Sequence, residues 1–498
     1  MCFHSRYLLA AAGLLLLSGA GCVTAPRVDG APATPASANV PWSAPAGARK
    51  AEPLVSAAPA LPITPDLVAR IRQLTLVDVV DLALQNNPTT RASWFQARAA
   101  ADVLGSSRGR YFPTIDASAN ASRTKSPATL SRPSGYQTQY GPAVSLNFLL
   151  FDFGARGGAI ERAKQNLYAA DFSHNATLQN VVLQAEAAYF SYMATLALLN
   201  AQRSAIAEAQ ANLTAADRRN KVGLATIGDV LQAKTAYSQE RLNLETIQGN
   251  LQAARGSLAS ALGLPANLPF DLAPLPMAMP VGTIGQSVDS VINDALRNRP
   301  DLAAARAQAA AATAQVSVTR SAEFPALTLG GNAGRTFSRP PVFAGPSYGA
   351  SLGLSFPLFN GFSRQYDVAA ARAQANALSA VADQTRQNVI TQVFVSYYAL
   401  QTAEQRVVTA DDLLASAEQS EQVAAGRYRE GVGSIIDLLS AQSALANARA
   451  QQVQSRWQWY TSLAQLARDA GVLGVRGDTP FTITPDSAAN PSSNAIRQ

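Results

Sequence analysis

Two long stretches of the chain carry the apolar spacing of α-helices and contain no proline. They run over residues 154–264 and 360–479, and both are rich in Ala, Gln, Leu, Arg and Glu, which are strong helix formers. Each is interrupted once near its middle, at residues 221–229 and at residues 430–437. We therefore predict two pairs of very long helices. The first helix, from about Arg156 to Lys221, would extend on the order of 100 Å at ~1.5 Å per residue.

Apolar residues within the first of these helices are separated by alternating steps of four and three. These positions are Leu178, Val182, Ala185, Tyr189, Tyr192, Leu196 and Leu199. Such a heptad spacing predicts a coiled-coil seam. It fits a hollow cylinder of helices as well as a solid antiparallel bundle, so the spacing alone does not choose between them.

Before each helical stretch, apolar and polar residues alternate with a period of two. Residues 348–356 and 144–148 alternate apolar with small or polar side chains, and residues 326–337 and 114–123 do so more weakly. We predict four strands in two hairpins. Strands of this kind with aromatic flanks are typical of transmembrane barrels, but four cannot close around an open lumen. Because lipid does not tolerate open strand edges, we expect three chains to supply twelve strands; a soluble β-sandwich fragment is the alternative.

The two halves of the body repeat each other. Short amphipathic helices within residues 74–88 and 287–300 both end in Asn-x-Pro, and the proline opens an Ala-rich helix. The equivalent positions include Pro88 and Pro300, Pro113 and Pro325, Gly223 and Gly431, and Asp229 and Asp437. The sequence therefore predicts an α+β protein built from one unit used twice, over residues 66–280 and 281–475, with a tail at residues 476–498.

The start of the chain has the features of a bacterial secretion signal. Residues 1–22 combine a basic residue with an apolar run over residues 7–17 that is too short to span a membrane. The sequence Leu-Ser-Gly-Ala-Gly-Cys that ends at Cys22 resembles a lipobox, which predicts lipidation of Cys22; ordinary cleavage nearby is the alternative. Val23 follows instead of Asp, which by the same resemblance favours the outer membrane. Residues 23–65 are rich in Ala, Pro and Ser, and we expect a disordered or extended tether.

Composition argues against several other classes of function. The net charge is +7, but Lys and Arg alternate with acids along the helices, so no basic patch for nucleic acid is seen. The two cysteines lie within the first 22 residues, which leaves no disulfide or cysteine-based metal site in the body. His174 is the one histidine outside the leader, which argues against histidine-based acid–base catalysis. We predict neither an enzyme nor a cofactor.

The Asn-x-Pro openings, the strand-to-helix junctions rich in Phe, the Gly turns and the duplication together resemble the TolC-like outer membrane efflux protein family, over about residues 74–471. The resemblance implies a homotrimer with a twelve-strand outer membrane β-barrel, continued across the periplasm by a long α-helical coiled-coil barrel. It implies a passive exit duct for substrate from an inner-membrane transporter and a periplasmic adaptor (membrane fusion) protein. The lipobox favours resistance–nodulation–division pumps over type I protein secretion. A periplasmic coiled-coil scaffold lipoprotein is the alternative from another class.

The same resemblance implies that the two turns dock onto the adaptor. The residues concerned are Val222, Gly223 and Leu224 in the first turn and Glu430, Gly431 and Val432 in the second. Glycine permits a tight turn with positive φ and the close approach of a partner backbone. The alternative is that both glycines serve only to join two helices.

Family channels are closed at the periplasmic end by rings of residues after the second turn. The matching positions are Ile436, Asp437, Tyr428 and Asp229. Three copies of one carboxylate around a narrow bore repel each other and attract cations. Gly433 and Ser440 stand where some members have an arginine and a second acid, which puts that arginine-based lock in doubt here. Both aspartates are alternatively helix N-caps.

Overall fold

The structure is a computed structural model and describes residues 27–28, 31–32, 34–35, 37–42, 73–127, 135–264, 266, 270–273, 282–285, 287–339, 343–473 and 483–485. The first half contains β1 (Arg27–Val28), β2 (Ala31–Pro32), α1 (Leu76–Asn86), α2 (Pro88–Gly109), β3 (Thr114–Ser126), β4 (Gly135–Phe151), α3 (Ala155–Lys221) and α4 (Ile227–Ala261). The second half contains β5 (Gly282–Ile284), α5 (Val288–Asn298), α6 (Pro300–Ser321), β6 (Ala326–Arg339), β7 (Phe343–Ser355), α7 (Ser363–Arg429), α8 (Ile435–Asp469) and β8 (Ile483–Pro485). The same succession of two short helices, two strands and two long helices therefore occurs twice.

Helices α3 and α7 are the longest elements. Each has 67 residues, which corresponds to about 100 Å, and each is followed by a turn and a helix of 35 residues. The chain leaves the preceding strand through left-handed backbone, at Gly154 (φ +93°) and at Phe362 (φ +65°). At the first junction the Asp152 carboxylate accepts a hydrogen bond from the Arg156 backbone N–H at 2.8 Å and pairs with its Nε at 3.0 Å. The Asp152 carboxylate therefore satisfies one N–H of the first turn of α3, and only residues 152–154 separate the strand from the helix.

The four predicted strands are confirmed, and all four are longer than their alternation indicated. They form one antiparallel sheet in the order β3-β4-β6-β7, so the hairpins of the two repeats meet where β4 pairs with β6. The residues beyond the predicted limits mix Gly, Ser, Thr, Tyr and Gln with Pro and apolar residues, which weakens an apolar–polar pattern without preventing strand pairing. Within the described residues β3 and β7 are paired on one side only, so the sheet has two open edges.

The two faces of this sheet differ in chemistry. Residues directly opposite each other in neighbouring strands lie on the same face. One such row consists of Phe148, Leu329 and Leu352, and the next row, on the other face, consists of Asn147, Gly330 and Ser351. One face is therefore apolar and the other is small and polar, and Leu352 is 66% exposed.

The largest buried cluster lies where α1 and α5 pack against the long helices. The predicted heptad seam of α3 contributes to it: five of its seven residues are buried members, Leu196 is partly buried against the cluster, and Leu199 is buried outside it. Among the described helices, α3 alone is long and apolar enough to cross a membrane by length and composition. The buried seam accounts for this apolar character, because a core helix has the same composition.

Each Asn-x-Pro motif contacts the glycine that follows the long-helix pair of its own repeat, at the end of α4 or of α8. Gly263 follows α4 with φ +69°, and a Cβ there would lie 2.6 Å from the Asn86 carbonyl oxygen. Gly471 follows α8 with φ +74°, and a Cβ there would lie 2.9 Å from the Arg299 backbone nitrogen. Both contacts require glycine, and they attach the short helices of each repeat to its long helix pair.

The prediction of a disordered or extended tether is wrong for part of residues 23–65. Trp42 is 3% exposed and packs against Tyr168 and Phe172 of α3 at ring centroid distances of 5.6 and 5.5 Å. The Asn175 side chain accepts from the Trp42 N–H at 2.8 Å and donates to its carbonyl at 2.7 Å. This aromatic anchor has both backbone groups satisfied, and the Trp94 Nε1–H donates to the Pro35 carbonyl at 3.0 Å, so the segment is docked although its composition is unsuited to a core of its own. Cys22 and the rest of the predicted signal lie outside the described residues.

Candidate docking and gating site

Two helix–turn–helix tips lie at the end of the long helices away from the sheet. In the first, Gly223 has φ +78°, and the Leu224 N–H donates to the Arg219 carbonyl at 2.8 Å. In the second, Gly431 has φ +79°, and the Val432 N–H donates to the Arg427 carbonyl at 3.0 Å. These bonds satisfy carbonyls that a helix end leaves without partners, and the left-handed glycine is the usual residue for this arrangement. The structure thus confirms both predicted turns at their predicted glycines.

The turns carry apolar side chains that the chain itself does not cover. Val222, Leu224 and Ile227 are 69%, 70% and 65% exposed in the first turn, and Val432 and Ile436 are 70% and 60% exposed in the second. Large apolar side chains grouped at one end of a molecule are characteristic of a contact surface. Sequence reasoning did not select Ile227, although its place at the first helical position after the turn was a usable signal.

The two aspartates are not N-caps, which corrects that alternative. The N-caps are Thr226 and Ser434, three residues earlier. The Asp229 carboxylate accepts from the Thr226 N–H at 2.8 Å and completes a reciprocal capping box. Asp437 donates its own N–H to the Ser434 hydroxyl at 3.1 Å, but no reciprocal bond from its carboxylate is found among the described residues. The two equivalent carboxylates therefore differ: one is used in a cap, and the other is exposed.

Tyr428 lies in a small apolar cluster that joins the four long helices at this end. The other buried members are Ala216 of α3, Ala233 of α4, and Ile435 and Leu438 of α8. Burial raises the pKa of the Tyr428 hydroxyl, and the nearby Arg219 opposes that shift. The hydroxyl has no hydrogen-bond partner within the described part of the chain. Its ring, not its hydroxyl, makes the contacts seen here.

Arg219 was missed by sequence reasoning and is the central polar residue of the site. Its Nη1 donates to the Tyr428 carbonyl oxygen at 2.6 Å, and its guanidinium lies 4.8 Å from the centroid of the Tyr428 ring. Nothing in the local sequence marks this arginine, because basic residues are common in the last turn of a helix. The contact depends on how the two repeats pack.

Position 433 requires glycine because neighbouring atoms lie close, and not because its backbone is left-handed. A Cβ at this position would lie 2.9 Å from the Arg427 Cβ and 3.1 Å from the Tyr428 backbone nitrogen. The Gly433 N–H also donates to the Arg427 carbonyl at 3.0 Å. This backbone has no room for a side chain, which explains in physical terms why no arginine occupies the position.

Two polar contacts continue the connection between α3 and α8 away from the tip. Glu208 pairs with Arg449 at 3.0 Å, and Asn212 donates a side-chain hydrogen bond to Gln442. Together with Arg219 these residues follow one face of α3. No group of metal-binding side chains is found among the described residues.

Comparison with known proteins identifies the relatives of this chain. Residues 79–264 and 291–472 match the model of the family described as "Outer membrane efflux protein". The chain is 33% identical over 417 residues to Protein CyaE of Bordetella pertussis, covering 82% of this chain and 87% of that protein. It is 26% identical over 406 residues to the toluene efflux pump outer membrane protein TtgC of Pseudomonas putida, covering 80% and 82%.

Solved structures share the fold. A membrane protein from Pseudomonas aeruginosa superposes with a TM-score of 0.73 at 23% identity, covering 90% of this chain and 100% of that one. The open state of the MtrE outer membrane channel of Neisseria gonorrhoeae gives 0.68 at 19% identity, covering 81% and 91%. The four-stranded sheet and the long helices are thus those of a β-barrel continued by an α-helical barrel. The chain belongs to the outer membrane efflux protein family, and it is an outer membrane efflux channel.

Proposed function

We propose that this channel is a homotrimeric exit duct, the outer membrane part of a tripartite pump. The observation that carries the proposal is the pair of open edges on β3 and β7 of a sheet with one apolar face. Open edges are not tolerated in lipid, and four strands do not enclose a lumen. Three chains joined edge to edge would give twelve strands, with the apolar face towards the outer membrane lipid and the small polar face towards the bore.

The position of the aromatic residues supports this placement. Tyr140 stacks on Phe337 at 5.3 Å near one end of the sheet, and Phe151 contacts Phe153 at 4.7 Å near the other. Tyr140 and Phe151 are separated by about 37 Å along β4 at ~3.4 Å per residue. A strand tilt of roughly 40° reduces this to about 28 Å, close to the apolar band of outer membrane barrels.

The turns are the proposed docking site for a periplasmic adaptor. The support is their exposed apolar side chains and the left-handed glycines that allow a partner backbone to come close. The docking residues are Val222, Gly223, Leu224, Glu430, Gly431 and Val432, and Ile227 adds to the same surface. The inner-membrane partner we propose is a transporter of the resistance–nodulation–division type, on the basis of the lipobox.

The proposed periplasmic gate consists of Ile436 and Asp437, supported from behind by Tyr428. The Asp437 carboxylate is exposed, and around a threefold axis three copies would repel each other and bind cations. Asp229 was an equal candidate for a gate or a helix cap; since its carboxylate is engaged in the capping box, we assign the charge of the gate to Asp437.

Lipidation of Cys22 remains part of the proposal. The 19 residues between Cys22 and the docked Trp42 would reach at most about 65 Å when extended. The Trp42 site contacts α3 about 13–17 residues from its start, roughly 20–26 Å from the sheet at ~1.5 Å per residue. The tether is long enough to connect that site to the inner leaflet of the outer membrane. We also keep residues 66–280 and 281–475 as the proposed limits of the two repeats.

Single-channel conductance of the purified protein in a planar bilayer tests these assignments. We expect low wild-type conductance that rises in Asp437→Asn and loses its sensitivity to divalent cations. Asp229→Asn is the matched control, because it makes the same change at the equivalent position of the first turn, and it should leave conductance unchanged.

Detectable wild-type conductance that Asp437→Asn does not alter would keep the channel and remove the gate assignment. Absence of conductance from well-folded protein, including a variant loosened at Ile436, would refute the duct. Heat-modifiable migration on a denaturing gel tests the trimer separately, and a monomer in native detergent extracts would contradict it.

A further inference from the structure

Arg219 contacts both turns. Its backbone carbonyl accepts from Leu224 in the first turn at 2.8 Å, and its side chain donates to the Tyr428 carbonyl beside the second turn at 2.6 Å. Leu224 is in the proposed docking surface, and Tyr428 is in the cluster behind the proposed gate. A displacement of the first turn therefore reaches the second through this side chain, in addition to the apolar cluster around Tyr428.

The site on α7 suits a cation in three ways. Tyr428 is in the last turn of α7, where the helix dipole is negative and backbone carbonyls lack intrahelical partners; its carbonyl also accepts from the Gly431 N–H of the turn at 3.2 Å. The guanidinium also lies 4.8 Å from the Tyr428 ring centroid, a distance typical of a cation–π contact. Arg219 itself is only partly exposed, so solvent screens the interaction less than it screens a surface pair.

The duplication provides a comparison within the same chain. Arg427 is equivalent to Arg219, and Asn220 is equivalent to Tyr428. The Asn220 side chain donates to the Ala225 carbonyl of its own turn at 2.9 Å, so it presents no ring to the other repeat. Arg427 is exposed, and no side-chain hydrogen bond or ion pair of Arg427 is found in the described part of the chain. Among the described residues, the arginine of the first repeat therefore makes this polar connection between the turns, and its equivalent in the second repeat does not.

The contact also reaches the gate by a short path. Tyr428 packs in one cluster with Ile435 and Leu438 of α8, and Ile436 and Asp437 lie between these two residues in the sequence. Gly433 has no room for a side chain, so the second turn does not supply an arginine of its own. Arg219 provides a cation from the first turn instead.

We propose that Arg219 is a latch: it holds the α7–α8 pair against the α3–α4 pair in the closed tip, and it couples occupation of the docking surface at Leu224 to the gate. The inference rests on the proposed docking and gating roles of the two turns. It adds to them the residue through which one acts on the other. Docking that moves the first turn would withdraw the guanidinium from Tyr428 and free α8 to move.

The test compares Arg219→Ala, Arg219→Lys and Arg427→Ala in bilayer recordings without adaptor. Arg219→Ala should raise the open probability roughly tenfold, which corresponds to about 1.4 kcal/mol. Arg219→Lys keeps the charge but loses the planar group and should give a smaller rise. Arg427→Ala removes the same charge from the equivalent position and should behave as wild type.

Equal effects of Arg219→Ala and Arg427→Ala would overturn the latch, because the effect would then follow from charge alone. An unchanged Arg219→Ala channel would also overturn it, provided that Asp437→Asn raises conductance in parallel; the gate would then stand without the latch. A rise in Arg219→Ala with no change in Asp437→Asn would support the latch and place the gate elsewhere. Trimer dissociation temperature is the folding control, and if Arg219→Ala does not assemble, the comparison of Arg219→Lys with Arg427→Ala decides.

Discussion

Replacement of Gly263 by alanine tests why the Asn-x-Pro motif and the end of α4 belong together. Gly263 has φ +69°, and a Cβ at that position would lie 2.6 Å from the Asn86 carbonyl oxygen and 3.1 Å from the Asn87 nitrogen. Both neighbours are backbone atoms, so neither moves away by changing a rotamer. The substitution must therefore strain the turn and also displace α1 from α4.

The two costs are separable in magnitude. A left-handed conformation costs an alanine about 1–2 kcal/mol, and overpacking of a well-packed contact adds about 1–3 kcal/mol. We expect Gly263→Ala to destabilise the protein by about 2–5 kcal/mol. Gly223 is the matched control, since its φ is +78° but no atom lies within 4 Å of its Cβ position. Gly223→Ala should therefore cost only the free energy of the left-handed conformation, about 1–2 kcal/mol.

The assay is the midpoint of unfolding of the purified channel, followed by circular dichroism as temperature or denaturant rises. Gly471→Ala serves as an internal replicate, because a Cβ there would lie 2.9 Å from the Arg299 nitrogen in the second repeat. We expect both Gly263→Ala and Gly471→Ala to unfold well before Gly223→Ala. Equal midpoints for all three variants would refute the close-packing argument and leave only backbone conformation.

Three further predictions concern buried residues. Arg299 is 3% exposed and pairs with Asp301 at 2.5 Å and with the equally buried Asp469 at 3.7 Å, so Arg299→Ala should cost about 3 kcal/mol in unfolding free energy. Arg297→Ala, two residues earlier at an exposed pair, should cost under about 1 kcal/mol; similar losses would contradict the role of burial. Burial raises the pKa of Asp171 from 3.8 to about 9, so folding takes up a proton between these values and stability falls as pH rises through that window. Asp171→Asn should therefore flatten the decline of the unfolding midpoint with pH, and an unchanged profile would show that this carboxyl does not titrate as described. Trp42→Ala should expose residues 34–42 to proteolysis while leaving the unfolding midpoint of the body almost unchanged; unaltered protection would mean that other contacts hold the segment.

Much of the architecture could be predicted from periodicity, because the heptad spacing and the two-residue alternation are each visible within a single segment. The heptad seam of α3 and the alternation over residues 348–356 predicted a helix and a strand without reference to anything else in the chain. The turn glycines were equally local, because a left-handed residue between two helices is a feature of the chain near it. The strands were predicted too short for the same reason: stretches such as residues 135–143, which mix Gly, Tyr, Gln, Thr and Pro, carry little period, although they pair well.

Contacts between distant segments were the part that the sequence did not reveal. Trp42 stands in a stretch rich in Ala and Pro, and no local signal indicates that Asn175, more than a hundred residues later, binds both of its backbone groups. Arg219 and Tyr428 are likewise brought together only by the packing of the repeats. The site on the turns was predictable in position, but the interactions that connect its two halves were not.

Comparison of the two repeats distinguishes residues needed for backbone geometry from residues that are available for function. Positions that keep the same residue in both repeats, such as Gly223 and Gly431, have the same backbone geometry in both, and a shared structural need is sufficient to account for them. Asp229 and Asp437 are the same residue at equivalent positions of the two repeats, but only the Asp229 carboxylate completes a capping box. A carboxylate retained at the start of a helix without its capping bond is available for another purpose. The same reasoning applies to the two arginines before the turns, of which only Arg219 has a side-chain hydrogen-bond partner among the described residues. It is at such positions, alike in sequence and unlike in contact, that the tip of this channel differs between its halves, and we propose that an opening movement begins there.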